Sequence, residues 1–204
     1  MVEALVHVFD KKKPKCKGII HVGGHWGQEI PFYLKAITRN VVVYEPLESC
    51  FKILSDSFMF SADCRKKAVG SENRTIFLNV ESENHGQSSS VLKPKEHLEQ
   101  YPDIHFNQTQ EAEMVTLDSD IQRPEEFNVL VVDVQGYELE VFKGAEKLLD
   151  NHIEYVICEV NNAEMYENCC LVEDLDSFFA EKKFKRILTS WEGDKWGNAL
   201  YAKF

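Results

Sequence analysis

Gly18-Ile-Ile-His-Val-Gly-Gly-His-Trp-Gly27 and, past the middle of the chain, Asn128-Val-Leu-Val-Val-Asp-Val-Gln-Gly136 decide how this sequence folds. Each is a short apolar, β-branched run that stops abruptly at glycines or polar residues. That is the pattern of a parallel strand buried on both faces. In an open α/β sheet, ligands sit at the carboxyl ends of such strands. Two such ends, with acidic residues beside them, point to an enzyme that binds a nucleoside.

Working outward, strand candidates alternate with helix candidates. Residues 18–22 precede a helix near 28–38, and 40–44 precede one near 47–58. Residues 63–69 and 74–80 read as further strands, and 113–117 as a short one. Between them, 81–101 is polar and rich in Ser, Asn, His and Gly, a long loop of the kind that carries function or moves. Residues 128–134 form the central strand. In the helix expected over 136–150, Val141, Phe142, Ala145, Leu148 and Leu149 make one apolar stripe. Residues 152–160 are the next strand and 172–183 the next helix. The tail then reads as a hairpin, 184–191 and 198–204 flanking Glu192-Gly-Asp-Lys-Trp-Gly197. Repeated β–α units closing on a hairpin predict an α/β, doubly wound, mostly parallel sheet with one reversed edge strand. Residues 1–17 read as a lead-in and 18–204 as a single domain.

The 204 residues suffice for one domain that buries roughly 70% of its unfolded surface. A hydrophobic content of 44% and a charged content of 28% are those of an ordinary globular chain. The net charge of −11 argues against a nucleic-acid partner, since phosphate binding needs a basic surface. The basic run Lys11-Lys-Lys-Pro-Lys-Cys-Lys17 reads as a solvated approach to the first strand. Six cysteines show no C-x-x-C spacing, and the adjacent Cys169 and Cys170 suit neither zinc nor an easy disulfide. The N-terminus places apolar residues before lysines, the reverse of a signal peptide, and no apolar run reaches membrane-spanning length. The sequons at Asn73 and Asn107 therefore read as chance. The expectation is a reduced, cytoplasmic protein with no membrane partner, its oligomeric state left open.

Gly23, Gly24 and Gly27 follow the first strand directly, where glycine permits a tight turn and close backbone approach. Their G-G-x-x-G spacing is not the G-x-G-x-x-G of dinucleotide sites. Glu45 ends the second strand about 22 residues after Gly23, where a nucleoside site places the carboxylate that accepts the ribose hydroxyls. Asp133 ends the central strand, Glu138 lies on the first turn of the following helix, and Glu159 ends the adjacent strand. Three converging acids can serve as general base, substrate clamp or metal ligands, although Glu138 equally suits plain helix N-terminal stabilisation. His21 and His25 straddle two glycines, which rules out a helical metal pair and leaves cofactor-loop contact or packing. Gln87 with Ser88-Ser-Ser90 can hydrogen-bond a ligand or simply fill a loop. Trp26, Tyr33, Trp191 and Trp196 are candidate stacking faces.

From about residue 18 onward these residues resemble the FkbM family of S-adenosylmethionine-dependent methyltransferases. The most specific stretch is Asp133-Val-Gln-Gly-Tyr-Glu-Leu-Glu-Val-Phe-Lys-Gly-Ala145, which looks like the signature D-x-Q-G-x-E-x-x-V-x-x-G-A. Val43-Tyr-Glu-Pro46, Ala68-Val-Gly70, Gly86-Gln-Ser-Ser89 and Thr116-Leu-Asp118 accompany it in the family's order. The resemblance implies a class I methyltransferase (Rossmann-like) fold, seven strands with the last antiparallel, and methyl transfer to a hydroxyl, often on a sugar or polyketide-like product. By position, Gly23, Gly24 and Gly27, with His21 and His25 in the same loop, would approach the methionine part of the cofactor. Glu45 with Pro46 would meet the ribose, Ala68 the adenine, and Asp133 and Val134 the sulfonium. The family's first loop usually reads Asp-Val-Gly-Ala-Asn. Here it is His21-Val-Gly-Gly-His25, which removes a carboxylate from the amino-group contact and adds a titratable ring.

On this reading Asp133 or Glu159 takes the acceptor's proton, with Glu138 the third acid, or a divalent cation acidifies the hydroxyl. No metal ligands can be named. The acceptor is a small molecule or glycan. Two other readings stand beside it: an inactive S-adenosylmethionine-binding interaction module, and an NAD-dependent oxidoreductase. The second lacks a Tyr-x-x-x-Lys pair and the dinucleotide glycine spacing.

Overall fold

The structure, a computed structural model, describes residues 16–204. The lead-in expected over 1–17 and its basic run lie outside the described residues except for Cys16 and Lys17. Seven strands form the main sheet: β1 (Ile19–Val22), β2 (Val41–Tyr44), β3 (Asp63–Arg65), β7 (Val129–Val132), β8 (Tyr155–Asn161), β9 (Phe184–Glu192) and β10 (Trp196–Lys203). Their order is β3-β2-β1-β7-β8-β10-β9. β1 pairs in parallel with both β2 and β7, Ile19 standing opposite Val41 and Val129. Every residue of β1, β2 and β7 is buried, as continuous apolar runs require when helices cover both faces. Alternation along the strands separates two cores. Ile20, Val22, Leu130 and Val132 face Phe142 and Phe179, whereas Ile19, Val129 and Val131 face Ile30, Tyr33 and Leu54.

The first face is covered by α5 (Glu138–Lys143), α6 (Glu146–Asn151) and α7 (Val172–Glu181), the second by α1 (Ile30–Phe32) and α2 (Glu48–Phe58). Two short helices, α3 (His97–Gln100) and α4 (Leu117–Asp120), lie in the connections. α1 runs on as a wide turn over Tyr33–Ile37, closed by the Thr38 N–H on the Tyr33 carbonyl at 2.9 Å. Among the described residues no helix is long and apolar enough to cross a membrane. All six cysteines are free thiols.

Four details differ from the sequence reading. The reversed strand, β10, is not at the edge: it pairs antiparallel with β8 on one side and β9 on the other. The chain leaves β8, crosses through α7 and lays β9 one place beyond, and the tight turn then returns β10 into the gap. The single helix expected over 136–150 is two, broken at Gly144, where a Cβ would stand 1.9 Å from the Gly70 carbonyl oxygen. The strand expected over 63–69 divides, β3 joining the main sheet and β4 (Ala68–Val69) a second one. That second sheet, β4-β6-β5, pairs β5 (Arg74–Val80) with a β6 (Gln108–Val115) longer than the 113–117 expected. Its Ile76, Leu78 and Met114 pack on Leu47, Ala68 and Tyr137, so it closes one side of the crevice at the carboxyl ends of β1, β2 and β7.

A candidate active site at the carboxyl ends of the strands

A cavity of about 380 Å³ opens at these strand ends. The loop after β1 forms its floor. Gly23 and Gly24 both donate N–H to the Tyr44 carbonyl, at 2.9 and 3.0 Å, and the Asp133 N–H bonds the Val22 carbonyl at 3.0 Å. Gly23 has φ of +82°, and a Cβ there would lie 1.8 Å from the Asp133 carbonyl oxygen. Glycine is required because two strand ends meet. Gly23 and Gly24 line the cavity while Gly27 does not. A Cβ on Gly27 would instead meet Ile30, Leu54 and Phe58.

Glu45 is 5% exposed and reaches back across this loop. Its Oε2 accepts the His25 N–H and its Oε1 the Leu47 N–H, each at 2.8 Å. Burial pushes its carboxyl up to about 7, against the pull of those two donors. Each oxygen keeps a lone pair free for a cavity ligand. His25 donates from Nε2 to the His85 carbonyl at 2.9 Å and accepts from Gln28 at Nδ1, also at 2.9 Å, a pairing that fixes one neutral tautomer. Its ring stacks on Trp26 at 4.7 Å, so it ties the first loop to the 81–101 loop. His21 is buried on the opposite side of its strand from Ile20, its Nδ1 3.4 Å from the Tyr33 hydroxyl. Burial holds its ring down at about 4, outweighing the attraction of Asp133.

At the centre stand Asp133 and Glu159, both in the cavity wall and bridged by one side chain. Gln135 Nε2 donates to Asp133 Oδ1 at 2.8 Å and to Glu159 Oε2 at 3.0 Å. Its Oε1 lies 2.9 Å from the Tyr166 hydroxyl, and its backbone carbonyl accepts from Ser90 Oγ at 2.7 Å. Gln135 adopts φ of +56° to make this span, a strained conformation for a side-chain-bearing residue. Burial raises the Asp133 carboxyl, with the Gln135 amide pulling it back. Burial also drives Glu159 well above the carboxylate range, helped by repulsion from Asp133 and Glu138. Two like charges sharing one donor favour a protonated member.

Glu138 is fully buried but does not line the cavity. Its Oε1 accepts the Val134 and Gly136 N–H groups at 3.1 and 3.2 Å, clasping the turn that carries Gln135, and its Oε2 has no partner. Burial raises it to about 7. Pro46, Ala68 and Val134 line the end nearer Glu45. Of the four candidate aromatics only Trp196 is in the wall. Tyr33 is core, Trp26 packs on histidines and Trp191 is exposed on the hairpin. The serine loop contributes to the wall, and two of its hydroxyls have partners within the protein: Ser89 Oγ accepts from the Glu81 N–H and Ser90 Oγ donates to the Gln135 carbonyl. Among the described residues no group of three or more His, Cys, Asp or Glu side chains is disposed to hold a metal ion, so the side chains lend the cation-assisted alternative no support.

Gln135, Tyr166, His97 and Tyr101 were not read as site residues from the sequence. Gln135 had a signal, a carboxamide between a strand-end acid and a glycine. The other three come from aperiodic loops, and only long-range packing places them.

The family model "Methyltransferase FkbM domain" matches residues 21–186. Among solved structures the chain is similar to methyltransferase FkbM from Methylobacillus flagellatus KT, at 14% identity and a TM-score of 0.62, over 92% of this chain and 44% of that one. It is also similar to a putative S-adenosylmethionine-dependent methyltransferase from Listeria monocytogenes, at 9% identity and a TM-score of 0.56 over 100% of both chains. A third likeness is to magnesium protoporphyrin IX methyltransferase from Synechocystis PCC 6803, solved with bound S-adenosylmethionine, at 10% identity and a TM-score of 0.53 over 100% of this chain and 78% of that one. At such identities the structures share a fold, and this chain spans less than half the length of the Methylobacillus protein. No curated protein matches. With the strand order, the strand-end crevice and a domain match over most of its length, the chain belongs to the FkbM methyltransferase family.

Proposed function

We propose that this protein transfers the methyl group of S-adenosylmethionine to a hydroxyl, on a sugar ring of a small molecule or glycan. The observation that carries it is the pair of cavity-wall carboxylates, Asp133 and Glu159, held by the single Gln135 amide. The residues fit the cofactor. Glu45, braced from behind by two backbone N–H groups, would hold the ribose. Ala68 and Pro46 would flank the adenine, and Gly23 and Gly24, both in the cavity wall, would lie beside the methionine part. Glu29, Glu45, Asp133 and Glu159 line the same cavity, a bed suited to a sulfonium and an ammonium.

When bound, S-adenosylmethionine supplies a methyl group that its sulfonium already makes electrophilic. The protein's task is then to hold the acceptor oxygen in line and receive its proton. Alignment of this kind contributes on the order of 7–11 kcal/mol when near-attack geometry is kept. Asp133 or Glu159 would accept the proton of an acceptor hydroxyl held beside the bound cofactor. Burial raises the proton affinity of both, so whichever member of the pair is ionised is a better base than an ordinary carboxylate. The sugar preference is supported by the family resemblance and by the mixed polar and aromatic wall.

Calorimetric titration with S-adenosylmethionine, NAD(H) in parallel and Glu45→Ala as control, tests the cofactor. Binding that weakens at least tenfold in the variant is expected, from the loss of a charge-assisted hydrogen-bond pair worth about 1.5–3 kcal/mol. Preference for NAD(H), or no binding, would reject the reading. Binding with no methyl transfer to any hydroxylated acceptor would leave the inactive binding module.

A further inference from the structure

The cavity extends beyond the residues assigned to the cofactor, and the sheet order gives the scale. Adjacent strands lie about 4.8 Å apart, so β2, which leads into Glu45, and β10, which begins at Trp196, stand about 19 Å apart across β1, β7 and β8. Asp133 and Glu159, at the ends of β7 and β8, fall between. On the far side the wall is His97, Tyr101, Ile104, Met165, Tyr166 and Trp196. None of these is needed for the nucleoside end.

This far wall is preformed. The Lys95 and His97 N–H groups both donate to the Met165 carbonyl, at 2.9 and 3.1 Å, and Glu167 N–H donates to the Lys93 carbonyl at 2.8 Å. The His97 ring contacts Tyr101 at 4.9 Å and Tyr166 at 5.5 Å, and Trp196 Nε1 donates to the Tyr101 hydroxyl at 3.2 Å. Two loops distant in sequence are thus fastened together and to the start of β10. Tyr101 and Trp196 remain half-buried in the cavity wall.

The charges here have one sign. The cavity's lysine, Lys67, is at the Ala68 end and is bound to Asp120 at 2.8 Å. Near the far lobe, Lys195 is paired with Glu96 at 2.8 Å and Lys95 with Glu164. An acceptor bearing a phosphate or carboxylate would face Asp133 and Glu159 with no lysine or arginine among the described residues of the far wall to offset it, an unfavourable like-charge contact. A hydroxyl can donate to either carboxylate, and an apolar ring face can lie on Trp196 and Tyr101.

We propose that this far lobe, walled by Tyr101, Ile104, Met165, Tyr166 and Trp196, is the acceptor subsite, and that it selects uncharged, hydroxyl-bearing rings and rejects anionic ones. The proposal rests on the methyl-transfer reading above.

The test supplies the protein with isotopically methyl-labelled S-adenosylmethionine and two matched saccharide pools. One holds neutral methyl glycosides, the other the same sugars as phosphates and uronic acids. Label is expected in the neutral pool, with about a hundredfold less in the anionic one. Trp196→Ala should raise KM for the labelled neutral acceptor roughly tenfold, leave S-adenosylmethionine affinity unchanged, and be rescued by Trp196→Phe. Equal or greater labelling of the anionic pool, or no label in either pool from protein that binds S-adenosylmethionine, overturns the proposal. An unchanged KM in Trp196→Ala overturns the placement of the subsite. Failure to bind S-adenosylmethionine at all instead overturns the cofactor reading beneath it.

Discussion

Gln135 and Glu138 belong to one short turn and play different parts in it. Gln135 donates one hydrogen bond to each of Asp133 and Glu159 from the same amide nitrogen. Replacing it with Leu removes a donor that lowers both acids, so their proton affinities should rise. The acid limb of the methyl-transfer pH profile is then expected to move upward by about one pH unit; a lower rate with an unmoved profile would make Gln135 merely structural. Glu138 gives the opposite case. Its Oε1 takes two backbone N–H groups and its Oε2 is buried without a partner. Glu138→Gln keeps the accepting oxygen and removes a buried charge. Because burial puts Glu138 at about 7, the variant should melt higher than the parent at pH 8 and close to it at pH 5. A lower melting temperature at pH 8 would show that the ionised form is needed. Asp133 and Glu138 were both legible in the sequence, as a strand-end and a helix-start carboxylate. That one points into the crevice and the other into the fold was not, because a sequence does not say which side of a tight turn a side chain leaves.

At the scale of elements, most strands and helices follow from apolar period alone, and the exceptions are contacts between distant backbones. The stripe Val141, Phe142, Ala145, Leu148 and Leu149 reads as one helix, yet the helix breaks because Gly144 touches Gly70 and its carbonyl accepts the Asp118 N–H at 3.0 Å. Asp118 in turn accepts the Lys147 and Leu148 N–H groups, each at 2.9 Å, at the start of α6. Gly144→Ala should therefore force the second sheet away from α5, at a cost of about 3 kcal/mol, seen as a melting temperature about 10 °C lower. An unshifted melt would mean that the joint yields freely. The divided strand over 63–69 has the same origin. Asp63, Cys64 and Arg65 pair with β2, and Ala68 and Val69 pair with Met114 and Val115 far along the chain. No local pattern marks that change of partner.

Across the whole molecule, buried acids outnumber buried bases around one cavity, and this sets the pH response. Glu45 and Glu138 stand at about 7 against an ordinary 4.5, so the folded chain holds protons that the unfolded chain has released. Their contribution is full below the unfolded value and is lost as pH rises through about 7. His21, held at about 4 against 6.5, acts in the other direction, its contribution lost as pH falls below 6.5. Above about pH 6.5 the loss from Glu45 and Glu138 outweighs what remains of the gain from His21, so the melting temperature of the unliganded protein should fall from there to about pH 8. A flat or rising profile would contradict their burial. Saturation with S-adenosylmethionine at about 100 times its dissociation constant should restore about 2.7 kcal/mol. The sequence by itself determined the parallel core, the glycine turn, the acids at the strand ends and the family, because each is written in short-range period or in a contiguous signature. Only the tertiary structure decided the inner position of β10, the second sheet, the Gln135 bridge and the far lobe. Those depend on pairings between segments distant in the chain, whose energies come from burial and hydrogen bonds that exist only once the chain has closed.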